Sequence, residues 1–159
     1  MEILIVRHAI AEEPSEADSD FQRALTPKGR KQFRAVATWL IEHDQTPDLV
    51  ITSPLARAVQ TAKILAKSAG LDPGECQVEQ VLVPGIDPLK LANFLCGLSA
   101  QRIAIVGHEP DLSHCTAEFI GGGRINFAKG AVAAVEFEGP VSLGGGALRW
   151  LISPRLLNH

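Results

Sequence analysis

Three short apolar runs constrain this chain more than any other feature: Ile3–Val6, Leu49–Ile51 and Ile103–Val106. Each is rich in Val and Ile and lacks the polar alternation of a half-exposed strand. Each therefore reads as a strand covered on both faces, as in a largely parallel sheet. Amphipathic stretches separate them. Over Pro27–His43, the residues Phe33, Val36, Ala37, Leu40 and Ile41 recur at helical spacing, and Thr26 followed by Pro27 supplies an N-cap and an N1 proline. Ser53-Pro54 repeats that device ahead of a second helix, in which Ala58, Ala62, Leu65 and Ala66 continue toward Gly70. A third helix is expected over Pro88–Leu98 and a fourth from Pro110 to about Ile120. Ala131–Phe137 and Ala147–Ile152 read as strands around a turn at Gly144-Gly145-Gly146, and the polar, aperiodic residues 11–24 read as a loop. This alternation predicts an α/β fold, a three-layer α/β/α sandwich around a mostly parallel central sheet. A single domain spanning residues 1–159 is expected.

Composition excludes several classes of function. The chain is 46% hydrophobic and 21% charged, which is ordinary for a globular protein and argues against disorder. With 15 Lys and Arg against 18 Asp and Glu, the formal charge of -3 offers no bulk attraction to nucleic acid or to an anionic membrane. No wholly apolar run approaches the roughly 20 residues that span a bilayer. The N-terminus enters a strand at once, without a basic stretch and apolar signal region. Cys76, Cys96 and Cys115 form an odd, widely spaced set, which suits reduced thiols and a cytoplasmic location better than a disulfide framework or a zinc site.

Two of the strands end alike, Ile3-Leu4-Ile5-Val6-Arg7-His8 and Ile103-Ala104-Ile105-Val106-Gly107-His108. Ligands of open α/β sheets bind beyond the carboxyl ends of the strands, so both histidines point toward one crevice. The middle strand delivers Ser53-Pro54-Leu55-Ala56-Arg57 to the same edge, with Arg57 in the first turn of its helix, where unpaired N–H groups also attract anions. Alone, a His at a strand end is ordinarily structural and an Arg early in a helix ordinarily a surface residue. Together, Arg7, His8, Arg57 and His108 form a cationic cluster on a net-negative chain. Its natural ligand is a small dianion, and phosphate fits the guanidinium forks best.

These residues resemble the histidine phosphatase superfamily, with its phosphoglycerate mutase-like fold. Its Arg-His-Gly motif stands here as Arg7-His8-Ala9, and its Ser-x-x-x-Arg-Ala-x-x-Thr-Ala motif as Ser53-Pro54-Leu55-Ala56-Arg57-Ala58-Val59-Gln60-Thr61-Ala62. The later Gly/Ser-His stands as Gly107-His108. Ala9 in place of glycine implies a backbone angle that alanine accepts. The short length, Arg23-Ala24-Leu25-Thr26-Pro27-Lys28-Gly29 and Pro84-Gly85 are most similar to the SixA-type phosphohistidine phosphatases. The resemblance implies that His8 is the phosphoryl acceptor, that Arg7, Arg57 and His108 bind the transferred group, and that Arg23 adds a phosphate contact. It further implies metal-independent hydrolysis through a phosphohistidine intermediate, with no cofactor. His8 then attacks as a neutral ring whose other nitrogen is held by a hydrogen bond, while Arg7, Arg57 and a protonated His108 stabilise the charge in flight.

Ester phosphates leave poorly without an acid to protonate the departing oxygen. Between the motif blocks, residues 71–101 hold Asp72, Glu75, Glu79 and Asp87, none in a motif matching such an acid. Glu109 adjoins His108 but reads equally as a helix N-terminal acid, and Asp87 before Pro88 reads as an N-cap. A protonated imidazole already leaves well, so the expected substrate is a phosphohistidine on a histidine-phosphotransfer or similar signalling protein. With under forty residues between the second helix and the strand at Ile103, little chain remains for a lid, and an open site suits a protein substrate. Two alternatives remain open. One is a broader phosphomonoesterase acting on phosphoserine, phosphothreonine or small esters through Glu109, Asp87 or Glu79; the other is a non-catalytic phosphate-binding module. Gly121-Gly122-Gly123 reads as a turn, Trp39 as part of a buried helix face, and Cys96 and Cys115 as inert packing residues. His43, His114 and His159 gain no partner from the sequence.

Overall fold

A computed structural model describes residues 1–157, and His159 lies outside the described residues. Its six strands are β1 (Glu2–Arg7), β2 (Leu49–Thr52), β3 (Gln77–Val78), β4 (Arg102–Gly107), β5 (Val132–Phe137) and β6 (Gly146–Ile152). They form one sheet in the order β3-β2-β4-β1-β5-β6. β1, β2, β3 and β4 run parallel, whereas β5 and β6 continue the sheet antiparallel. Four helices cover it: α1 (Pro27–Glu42), α2 (Ala56–Ser68), α3 (Pro88–Cys96) and α4 (Asp111–Ile120).

The apolar runs produce this layering directly. Successive strand residues face opposite ways, so Ile3, Ile5, Ile103 and Ile105 pack toward α3 and α4, where they meet Leu91, Leu95, Leu112 and Phe119. Their neighbours Leu4, Val6, Ala104 and Val106 pack toward α1 and α2, against Phe33, Leu40, Ala62 and Leu65. Both faces are covered, which gives the predicted three-layer α/β/α sandwich.

Most helix boundaries fall where the sequence places them. Thr26 caps α1 by accepting from Gly29 N, and Asp87 caps α3 by accepting from Leu89 N and Lys90 N. Ser53-Pro54 does not start α2, which begins at Ala56 with Leu55 in the capping position. The strand β3 has no counterpart in the sequence reading, because two exposed residues carry no periodicity. Residues 11–24 are not wholly loop: Ala11 bridges Leu25 and Asp20–Gln22 forms one 3-10 turn.

Gly29 serves a close approach. A Cβ there would lie 2.2 Å from the carbonyl oxygen of Ile10, which accepts from Thr26 N at 2.9 Å. A helical Gly→Ala change ordinarily gains ~1 kcal/mol. Gly29→Ala should instead cost about 2–4 kcal/mol in denaturant unfolding, because backbone must move to admit the methyl group.

Candidate active site

The site lies where three adjacent parallel strands end. β1 hands over to His8, β4 to His108 and β2 to Ser53, while the first turn of α2 supplies Arg57. Neighbouring strands stand ~4.8 Å apart, so this order alone draws residues distant in sequence into one crevice. His8, Arg57 and His108 are 7%, 5% and 3% exposed, and the two imidazole rings lie 5.2 Å apart between centroids.

Each side chain is held by a neighbour that fixes its chemistry. His8 Nδ1 lies 2.7 Å from the carbonyl oxygen of Ala9. A carbonyl only accepts, so Nδ1 carries the hydrogen and Nε2 keeps its lone pair. Thr61 steadies that arrangement: its Oγ1 accepts from Ala9 N at 3.1 Å and donates to the Arg57 carbonyl at 2.7 Å. Ala9 itself has no left-handed backbone; Asp44 is the sole non-glycine residue with positive φ among those described.

His108 Nε2 lies 2.8 Å from Ser53 Oγ, which also accepts from Leu55 N at 3.3 Å. The Ser53 hydroxyl is able to donate to Nε2, and in that tautomer the hydrogen of a neutral ring sits on Nδ1. Arg7 Nη1 donates to the Phe127 carbonyl at 2.7 Å. Arg57 donates through Nη1 to the Asp20 carbonyl at 2.8 Å and through Nη2 to its carboxylate at 3.2 Å. Three buried nitrogens remain without an acceptor: Arg7 Nε, Arg57 Nε and His108 Nδ1. A buried donor without a partner costs ~1–3 kcal/mol, so three on the same few residues describe a socket for an acceptor-rich oxyanion.

Electrostatics favour the same ligand. Burial pushes His8 down to about 3; the Ala9 hydrogen bond opposes this, and His108, Arg57 and Arg7 add to it. Burial likewise pushes His108 down to about 4, with Arg57, Arg23 and Arg7 adding and Asp20 opposing. Before an anion arrives, desolvation and the guanidinium groups favour the neutral form of both rings. Ring-proton NMR of the unliganded protein should show neither His8 nor His108 titrating between pH 7 and 5. A midpoint near the ordinary 6.5 for either would contradict this.

Arg23 stands at the rim, its Nε donating to the Asp20 carboxylate at 2.9 Å and its Nη1 to the Glu12 carbonyl at 3.1 Å. Asp20, which sequence reasoning missed, bridges Arg23 and Arg57 with its side chain 62% exposed. The spacing of Asp20 and Arg23 was a visible hint of a local pair, but its link to Arg57 was not. Of the acids considered, Asp87 is occupied in capping α3 and Glu109 accepts from both N and Oγ of Ser113. Glu79 follows β3, three strand spacings or ~14 Å from β1. Cys115 is buried, and desolvation raises its thiol to about 12, as an inert packing residue requires. Cys96 is exposed rather than packed. Trp39 is only half-buried, and His43 finds a partner by stacking on it at 4.3 Å.

The chain is similar to known proteins. The family described as "Histidine phosphatase superfamily (branch 1)" matches residues 3–80. An uncharacterised protein from a Picosynechococcus strain is 38% identical over 118 residues, which cover 70% of this chain and 68% of the relative. The phosphohistidine phosphatase SixA of Escherichia coli is 29% identical over 158 residues, covering 97% and 94%. The solved structure of protein histidine phosphatase SixA complexed with tungstate superposes with a TM-score of 0.89 at 28% identity, covering 99% of this chain and 100% of that one. The sheet order, the two strand-end histidines and these matches together place the chain in the histidine phosphatase superfamily, as a phosphatase with the phosphoglycerate mutase-like fold.

Proposed function

We propose that this phosphatase removes the phosphoryl group from phosphohistidine on a protein, in two steps and without a metal. The observation that carries the reading is the trio of unpartnered donors, Arg7 Nε, Arg57 Nε and His108 Nδ1, beside a neutral His8. In the first step the lone pair on His8 Nε2 forms a bond to phosphorus. The phosphorus–nitrogen bond of the substrate breaks, and its electron pair stays on the departing imidazole. In the second step water attacks phosphorus, the bond to His8 breaks, and orthophosphate leaves with the water's oxygen. Arg7, Arg57, His108 and, at the rim, Arg23 match the charge on the equatorial oxygens as it passes. The resemblance to SixA, whose solved structure holds the oxyanion tungstate, supports this assignment.

Three observations favour a phosphoramidate on a protein over a small ester. Asp87 and Glu109 are engaged at helix starts, and an imidazole leaving group needs least from an acid. In the chain between α2 and β4, Leu82, Ile86, Leu91 and Leu95 are committed to the core beneath the sheet, which leaves little chain to cover the site. Phe21, on the turn that carries Asp20, is 51% exposed, an aromatic at the rim of the kind that anchors protein partners.

The deciding experiment compares kcat/KM for a phosphohistidine protein, a phosphoserine peptide and a small aryl phosphate, with and without EDTA. A preference of about 10²-fold or more for the phosphohistidine protein, unchanged by EDTA, is expected. Preference for esters would overturn the reading. Glu109 adjoins His108 and its charge reaches Arg7, so it is the acid through which ester hydrolysis would run. Glu109→Gln should change phosphohistidine turnover by less than about threefold, whereas ester chemistry through Glu109 would lose about 10²-fold or more.

A further inference from the structure

The outer seam between α1 and α2 holds an open groove of about 550 Å³, lined by Arg30, Arg34, Gln60, Lys63, Ile64 and Lys67 among others. Four of those six side chains are cationic. Among the described residues the ion pairs involve Arg23, Arg57, Arg102 and Arg149, and none involves these four cations. Asp72 Oδ1, in the segment that closes the groove at Pro73, accepts from Gly74 N at 2.8 Å. On a chain of net charge -3, four of the 15 Lys and Arg line this one groove. Such a face carries a positive potential that the net charge conceals.

The groove runs along the same helix that supplies Arg57. Gln60 lies one helical turn beyond Arg57 on α2, and Lys63 and Lys67 follow it at one-turn steps. Gln60 Oε1 also accepts from Leu25 N at 2.8 Å, which joins the head of the groove to the segment that carries Arg23. A partner whose phosphoryl group enters between Arg57 and His108 therefore has a cationic track leading away from it along α2. We infer that this α1–α2 groove docks an acidic surface of the phosphorylated protein substrate, a docking role that rests on the phosphohistidine-protein reading above. Lys63, Lys67 and Arg34 are exposed and take no part in the hydrogen bonds of the catalytic crevice, so docking and chemistry are separable by mutation. Charges of this kind chiefly steer encounter and set which partner is accepted.

The test uses an acidic phosphotransfer domain phosphorylated at histidine and, beside it, the small molecule phosphoramidate. At low ionic strength Lys63→Glu with Lys67→Glu should lower kcat/KM on the domain by about tenfold or more, mainly through KM. Phosphoramidate turnover should stay within about twofold, and added salt should shrink the difference on the domain. Lys63→Gln with Lys67→Gln, which removes charge without reversing it, should give an intermediate loss and controls for folding. Unchanged turnover of the domain, or an equal loss on both substrates, overturns the docking role alone. So does binding of phosphatidylserine vesicles or a single-stranded oligonucleotide through these lysines while domain turnover ignores them. A wild-type protein that hydrolyses phosphoramidate yet never acts on the domain overturns both the docking role and the substrate reading beneath it.

Discussion

His8→Ala should abolish turnover, lowering kcat by at least about 10³-fold, while the protein still binds an oxyanion. His8 Nε2 is the nitrogen left with a lone pair once Nδ1 is committed to the Ala9 carbonyl, and no other residue in the crevice offers an equivalent nucleophile. Arg7, Arg57 and His108 keep their unpartnered donors in the variant, so tungstate or phosphate binding should weaken by less than about tenfold. Brief mixing with radiolabelled phosphodonor, followed by an alkaline quench, should trap a phosphoenzyme in the wild type that is lost on acid treatment. None should form in His8→Ala. An alanine variant that retains turnover, or a wild type that never accumulates the acid-labile species under single-turnover conditions, would remove His8 from the reaction.

The same substitution carries a stability signature whose sign follows from burial. A folded-state value of about 3 lies below the ordinary 6.5, so the unfolded chain binds a proton at His8 that the folded chain refuses. Stability from this group is present above pH 6.5 and lost as pH falls toward 3, at up to about 1.4 kcal/mol per pH unit. Thermal unfolding of His8→Ala should consequently fall less steeply than that of the wild type between pH 6.5 and 4.

Arg57→Lys should cost about 10²-fold in kcat, and Arg57→Ala about 10³-fold. The guanidinium spans two needs at once. Nη1 and Nη2 hold Asp20, which anchors the 3-10 turn at the rim, while Nε stays unpartnered. An ammonium is a single point of charge and cannot keep both, so lysine restores attraction without geometry. Stopped-flow measurement of phosphoenzyme formation locates the loss. The chemical step should slow in both variants, and a change confined to KM would mean that Arg57 only binds.

What was legible in the sequence is what is local in the chain. Ile3–Val6 and Ile103–Val106 announce buried strands because every residue in the run repeats the same environment. Thr26 and Asp87 announce helix starts because a cap acts two or three residues away. Ser53 shows where that logic fails. Ser-Pro ahead of an apolar periodicity is a sound helix start, yet its hydroxyl is shared with His108, 55 residues distant, and α2 starts later. Asp20 was lost for the same reason, since its partner Arg57 lies 37 residues away. The burial that lowers the pKa of His108 is equally invisible in sequence, since position there shows the neighbouring cations but not the desolvation.

Arg7 has a consequence for biosynthesis. Its Nη1 is fixed by the Phe127 carbonyl, 120 residues downstream, and β1 is flanked by β4 and β5. A nascent chain that has emerged only as far as Val78 carries Arg7, His8, Arg57 and Thr61 but has neither partner strand for β1 and no ring opposite His8. The crevice is therefore completed late in synthesis, after Phe127 and β5 have left the ribosome, and a fragment ending before them should show no phosphatase activity.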